Sequence, residues 1–191
     1  MKSYKLLGTL MALLLLVPVC FAQGSYNHAE VGVFMNYTRL SSASDTNFYG
    51  IGGRIGANVH PHIQLEAEGA YDFEQNVNSQ INLGGGSFTS QRSNLRMIHF
   101  LFGPKFQAGT SGPVRLFATL KGGLLDFSTD RRLSGQILNI PSDTNGVFYP
   151  AGGVELFSGW FGVRFEVGDE IYFDRGANNN LRVTAGPTFR F

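Results

Sequence analysis

The chain has 191 residues, with 15 Lys and Arg against 14 Asp and Glu and a single Cys. One domain suffices at this length. Only 15% of the residues are charged, which excludes a coiled coil, and 13% are aromatic, which argues against a disordered chain. The net charge of +1 provides no footprint for nucleic acid.

Residues 1–22 read as a secretory signal peptide. Lys2 and Lys5 make a positive start, 6–17 is an apolar core, and Pro18 breaks it. Phe21-Ala22-Gln23 supplies a cleavage point after Ala22. The apolar run is shorter than the roughly 20 residues a membrane-spanning helix needs. Cleavage removes Cys20, so the mature domain, 23–191, carries no cysteine and forms no disulfide although it is exported. No later apolar run is long enough for a spanning helix. A barrel strand needs only about 9–11 tilted residues and shows alternation instead.

Period-two alternation dominates the rest of the chain and predicts eight strands. In 29–38, Val31, Val33, Met35 and Tyr37 oppose Glu30, Gly32, Asn36 and Thr38, with Phe34 intruding on the polar face. In 49–59, Tyr49, Ile51, Ile55, Ala57 and Val59 oppose glycines, Arg54 and Asn58. In 63–73, Ile63, Leu65, Ala67, Tyr71 and Phe73 oppose Gln64, Glu66, Glu68 and Asp72. In 98–107, Ile98, Phe100, Phe102, Pro104 and Phe106 oppose His99, Leu101, Gly103, Lys105 and Gln107.

The fifth segment, 114–124, sets Leu116, Ala118, Leu120 and Leu124 against Arg115, Phe117, Thr119 and Lys121. The sixth, 148–157, is weaker, with Val154 and Leu156 against Gly153 and Glu155. The seventh, 161–171, sets Phe161, Val163, Phe165 and Val167 against Arg164, Glu166 and Glu170. The last is the cleanest: Leu181, Val183, Ala185, Pro187, Phe189 and Phe191 share one face, and Arg182, Thr184, Thr188 and Arg190 the other.

The predicted connections are 40–48, 59–62, 74–93, 108–113, 126–147, 158–159 and 172–179. Long and short alternate, so a ring of eight antiparallel strands collects the short turns at one rim and the long loops at the other. Outer-membrane barrels have this asymmetry. A soluble lipocalin-like barrel would turn the apolar face inward. Against that stand the tyrosines and phenylalanines at the ends of the apolar faces, as in interfacial girdles, and a second face of glycines and charges of both signs. The expected fold is therefore all-β, an eight-stranded antiparallel up-and-down transmembrane barrel. Its lumen is expected to hold a charge network of Arg54, Glu66, Glu68, Lys105, Arg115, Lys121, Glu155, Arg164, Glu166, Arg182 and Arg190.

The C-terminal third resembles small outer-membrane β-barrel proteins of the OmpA-like eight-stranded class. The residues that carry the resemblance are Gly152-Gly153-Val154-Glu155, Gly162-Val163-Arg164-Phe165, Gly168-Asp169-Glu170-Ile171-Tyr172, 179–186 and the final Phe189-Arg190-Phe191. The resemblance implies that Phe189 and Phe191 form the signal read by the barrel assembly machinery. It implies the outer membrane of a Gram-negative bacterium as location, with lipid and lipopolysaccharide as surroundings. No counterpart of that class's peptidoglycan-binding domain is expected, so cell-wall tethering is not expected to carry over.

Chemistry is sparse. His60-Pro61-His62 offers two metal-ligating rings, but Pro61 is expected to force a turn that diverges them, so both read as turn residues without a ligand role. His99 lies on the inward face and reads as part of the polar lumen. Glu66 and Glu68 point the same way and read as members of an ion-pair network, not as an acid/base pair. Lipid-modifying barrels need a nucleophile beside a base, and no His-x-Ser occurs. No catalytic residue, cofactor or metal is expected. The expected protein is a monomeric structural or surface-interaction barrel that meets an unidentified surface ligand through its long loops. A narrow pore for small solutes is the second reading, and an outer-leaflet enzyme the third.

Overall fold

The computed structural model describes residues 27–40, 46–82, 88–108, 112–129, 144–174 and 176–191. The signal-peptide segment therefore lies outside the described residues. Eight strands follow in chain order: β1 (Ala29–Leu40), β2 (Thr46–His60), β3 (Ile63–Asn82), β4 (Phe88–Gln107), β5 (Val114–Thr129), β6 (Thr144–Ser158), β7 (Phe161–Phe173) and β8 (Ala177–Arg190). Each pairs antiparallel with its neighbour, and β1 with β8 closes the ring. A closed ring satisfies every strand's ladder within the protein, as a lipid environment demands.

Side chains alternate across this wall. Val31, Val33 and Met35 of β1, Phe100 and Phe102 of β4, and Leu116 and Leu120 of β5 are exposed on the outside. Aromatics border the apolar band. Tyr37 and Tyr49 pair 5.4 Å apart, and Tyr71 meets Phe73 at 5.9 Å, toward the rim of the longer connections, the loop end. At the other rim, the turn end, Trp160 stacks on Phe189 at 5.5 Å beside Phe161, and Phe191 is exposed. The backbone of Phe191 bonds with that of Ala29 and His28, which ties the chain end into the ring.

The inner glycines have a geometric role. Phe34 faces Gly52 across the β1–β2 ladder, and Phe157 faces Gly162 across β6–β7. A Cβ on Gly52 would stand 2.4 Å from the Phe34 ring, and one on Gly162 would stand 2.5 Å from the Phe157 ring. Each ring lies over the backbone its glycine exposes, an arrangement that shields strand glycines from losing contacts. The Phe34 intrusion seen in the sequence is thus one half of a pair.

The predicted connections need correction at the loop end. Most of 74–93 is strand: the β3–β4 ladder runs on from Gln75↔Leu95 to Asn82↔Phe88. By contrast, β2 last meets β3 at Gly50↔Asp72, and β5 last meets β4 at Leu95↔Thr129. Beyond the ring, β3 and β4 therefore form a two-stranded ribbon, which at about 3.4 Å per residue reaches some 25 Å outward. The segment 126–147 is likewise shorter than predicted, since β5 continues to Thr129 and β6 starts at Thr144, and 172–179 reduces to the residues between Phe173 and Ala177. Likewise β2 starts at Thr46, inside the predicted connection 40–48. Outside lipid neither face of a strand need be apolar, so alternation fades while backbone pairing persists.

Two outcomes follow from this architecture. Leu120→Arg puts a charge on the lipid face and should lower unfolding free energy by about 2–4 kcal/mol near the bilayer centre, measured by urea titration in lipid vesicles. Replacing residues 76–94 by a tight turn should leave the heat-resistant folded band on gels, because that ribbon pairs only with itself.

Candidate functional site

The inward positions converge on one feature, a lumen filled from end to end in three tiers. At the turn end three amides close the mouth. Asn58 Oδ1 accepts from Gln64 Nε2 and from Gln107 Nε2, each at 3.0 Å, and Asn58 Nδ2 donates to the Asn27 carbonyl at 2.6 Å.

The middle tier is an ion-pair lattice. Arg115 bonds Glu30 and, through Nε, Glu155 at 2.6 Å. Lys105 reaches Glu30 at 3.0 Å and Glu155 at 2.9 Å. Arg164 bonds both Glu66 and Glu166 and reaches Glu155 at 3.2 Å. Lys121 donates to Glu68 at 2.5 Å and meets Glu66 at 3.1 Å. Arg54 meets Glu166 at 3.3 Å and donates to Thr184 Oγ1 at 2.9 Å. Arg182 donates to Glu68 at 2.7 Å and to Asn36 Oδ1 at 2.7 Å.

Burying isolated charges costs several kcal/mol per ion, so such a lattice persists only when each charge is met. The rings of the glycine-backed phenylalanines add a second partner. The Arg54 guanidinium lies 4.3 Å from the Phe34 ring, that of Arg164 4.0 Å from Phe117, and that of Arg115 4.7 Å from Phe157. Each cation thus sits between carboxylates and an aromatic face.

Above the lattice, His99 of β4 links β3 to β7. Its Nε2 lies 2.9 Å from Asp72 and its Nδ1 3.0 Å from Glu170. Only the doubly protonated ring donates at both nitrogens. The buried carboxylates among the described residues are Glu30, Glu66, Glu68, Asp72, Glu155, Glu166 and Glu170; the buried cations are Arg54, Lys105, Arg115, Lys121, Arg164 and Arg182. The imidazolium of His99 would bring that set to neutrality.

The third tier was not anticipated. At the loop end the lumen is apolar: Leu40, Phe48, Leu95, Met97, Leu101, Leu125, Phe127, Val147, Tyr149 and Tyr172 form one buried cluster, with Phe127 edge-on to Tyr172 at 5.3 Å. The expected charge network therefore occupies only part of the lumen. Leu101 had been placed on the inner face, but nothing in alternation says that its neighbours around the ring are also apolar.

Ten of the eleven network residues named from the sequence lie in the buried lattice. Arg190 does not: it is half-buried at the turn end, donates to the Gly159 carbonyl at 2.7 Å, and lies 4.2 Å from the Phe157 ring. Glu30, Asp72 and Glu170, which face inward by the same parity, complete the lattice together with His99, Asn36 and Thr184. The aromatic platforms could be recognised only once the strand register set each phenylalanine opposite its glycine.

No protein-family model matches the chain, and no curated protein matches it in sequence. Solved structures do. The outer membrane protein OprG from Pseudomonas aeruginosa superposes with a TM-score of 0.55 at 12% identity, covering 88% of this chain and 98% of that one. Neisserial surface protein A gives 0.54 at 13% identity, covering 85% and 97%. Ail, the attachment invasion locus protein of Yersinia pestis, gives 0.50 at 12% identity, covering 86% and 97%. The fold is that of the small eight-stranded outer-membrane β-barrels.

Removing one carboxylate from the lattice strands its cations. Glu66→Ala deprives Arg164, Lys121 and Lys105 of a partner together. It should lower unfolding free energy by about 3–5 kcal/mol, the cost of breaking a buried pair from one side, whereas Glu74→Ala, outside the lattice, should change it by less than about 1 kcal/mol. Equilibrium urea unfolding followed by tryptophan fluorescence of Trp160 reads both.

Proposed function

We propose that this protein is a non-conducting, non-enzymatic outer-membrane barrel that presents its loop-end hairpins at the surface of a Gram-negative cell. One observation carries the reading. The lumen is filled by the ion-pair lattice and capped by the apolar cluster, while the β3–β4 ribbon continues beyond the ring. A ring eight strands wide has just enough interior for side chains to fill. Here the structural investment goes into a closed, rigid scaffold and a projecting hairpin.

The lipid-facing band and its aromatic borders support membrane insertion, and the β3–β4 ribbon together with the long connection between β5 and β6 at the same rim supports an outward-facing loop end. Two of the similar barrels are named for attachment and for the cell surface, in keeping with a role in contact. His99 supports the non-enzymatic reading, since both its ring nitrogens face carboxylates and neither is turned to a hydroxyl nucleophile. The chain acts as a monomer in this reading, with lipopolysaccharide and phospholipid around it, and Phe189 and Phe191 present the assembly signal to the barrel assembly machinery.

Two measurements test the proposal. Reconstituted protein in planar bilayers should show no steady single-channel current; a large, stable conductance would replace the scaffold by a pore. Trypsin added to whole cells should cut at Arg92 in the ribbon and spare Lys105 and Lys121 in the lumen, and protection of Arg92 would overturn the surface assignment.

A further inference from the structure

The short β2–β3 connection at the turn end carries His60 and His62 on either side of Pro61. Divergent rings were expected there. Instead, the ring centres lie 5.7 Å apart with a 40° tilt, and both side chains are exposed. A divalent metal bound about 2.0–2.1 Å from a ring nitrogen stands about 3.2 Å from that ring's centre, so two rings sharing one tetrahedrally have centres about 5 Å apart. The observed spacing is within a small side-chain rotation of that value.

The turn is held in this shape from outside. A register shift between Asn58 and His60 re-aims the end of β2. The Gln107 N–H of β4 donates to the His62 carbonyl at 3.0 Å, and Gln107 Nε2 donates to the Pro61 carbonyl at 3.3 Å. Two rings fixed by a braced turn lose little freedom when they bind together.

The hydrogen bonds also settle which nitrogens are available. His62 Nδ1 lies 3.1 Å from the Gln107 carbonyl oxygen. A carbonyl only accepts, so Nδ1 carries a proton, and in the neutral ring Nε2 holds the lone pair. Metal-binding histidines are oriented by this same bond from the second ring nitrogen to a backbone carbonyl. His60 Nδ1 accepts the His62 backbone N–H at 3.2 Å, so its lone pair is held by one long bond on an exposed turn. Water can take over that N–H when the nitrogen turns to a metal.

We infer that His60 and His62 form a binding site for a divalent transition metal at the turn end, His62 binding through Nε2 and His60 through the nitrogen released from that long bond. Among the described residues no group of three or more His, Cys, Asp or Glu gathers around a common point, so water completes the coordination. Imidazole ligands with open positions suit Cu(II), Ni(II) and Zn(II), and the order of stabilities puts Cu(II) first. The site is independent of the surface role proposed above, because it lies at the opposite rim from the ribbon.

The test is a Cu(II) titration of the folded full chain in detergent, followed by calorimetry and by the electron paramagnetic resonance of the bound ion. One Cu(II) per chain should bind, with nitrogen coupling from two imidazoles. His60→Asn and His62→Asn should each weaken binding by roughly tenfold or more, as expected when one arm of a chelate is lost. His28→Asn should leave binding unchanged. Both substituted side chains are exposed, and the heat-resistant folded band verifies that each variant still forms the barrel. Binding that survives the His60→Asn, His62→Asn double variant, or a spectrum with a single coupled nitrogen, would overturn the site.

Discussion

A closed ring of eight strands has no side open to bulk water. Its outer face meets lipid, and its inner face encloses a space too narrow for bulk solvent. Every second side chain is therefore committed to a lumen in which a charge must find an opposite charge or be left stranded. The lattice of Arg54, Arg115, Arg164 and Arg182 with Glu30, Glu66, Glu68, Glu155 and Glu166 answers that constraint. Each carboxylate is shared between cations on different strands, so the lattice braces the ring across its width as the backbone ladder does around its circumference.

The aromatic residues of the inner face belong to the same solution. A narrow ring needs glycines where strands bend sharply, and glycines leave backbone uncovered. Phe34 and Phe157 cover it from the facing strand, and each also has a guanidinium over its ring. Backbone curvature, aromatic packing and charge burial are thus met by one repeated stack of glycine, phenylalanine and arginine. Toward the loop end the means of filling changes. There the lumen is occupied by Leu40, Phe48, Met97, Leu125 and their neighbours, side chains that are mostly apolar and need no charged partner. His99, bound to a carboxylate on each side, stands at the boundary between the two regimes.

The same division of labour bears on function. The ion-pair lattice and the apolar cluster are built from strand residues. The β3–β4 ribbon is free to extend past the ring because it satisfies its backbone within itself. At the opposite rim the connections are short and braced, as the Gln107 bonds to the His60–His62 turn illustrate. Rigid and projecting elements are separated along the barrel axis, and the two candidate binding features lie at opposite ends.

Alternation, read with the lengths of the connections, determined the number of strands, their antiparallel order and the face of each residue within the predicted segments, because a period of two is a local property of the backbone and lipid enforces it strongly. The last strand was legible from Leu181 onward for this reason, and so was the inward direction of Glu66, Glu68, Arg164 and Lys121. Strand ends in water were not legible: around Gln75 and Asn82 neither face is required to be apolar, so only the pairing with β4 reveals a strand. Pairing partners were not legible either. Arg115 and Glu30 lie 85 residues apart, and Arg54 and Thr184 lie 130 apart. Which charges meet depends on the register at which β1 closes on β8, and closure is a property of the whole ring. The apolar cap and the approach of His60 to His62 were decided at the same level. A leucine on the inner face becomes a plug only when strands around the ring bring others to its height. Two histidines flanking a proline stand 5.7 Å apart on a turn that β4 braces.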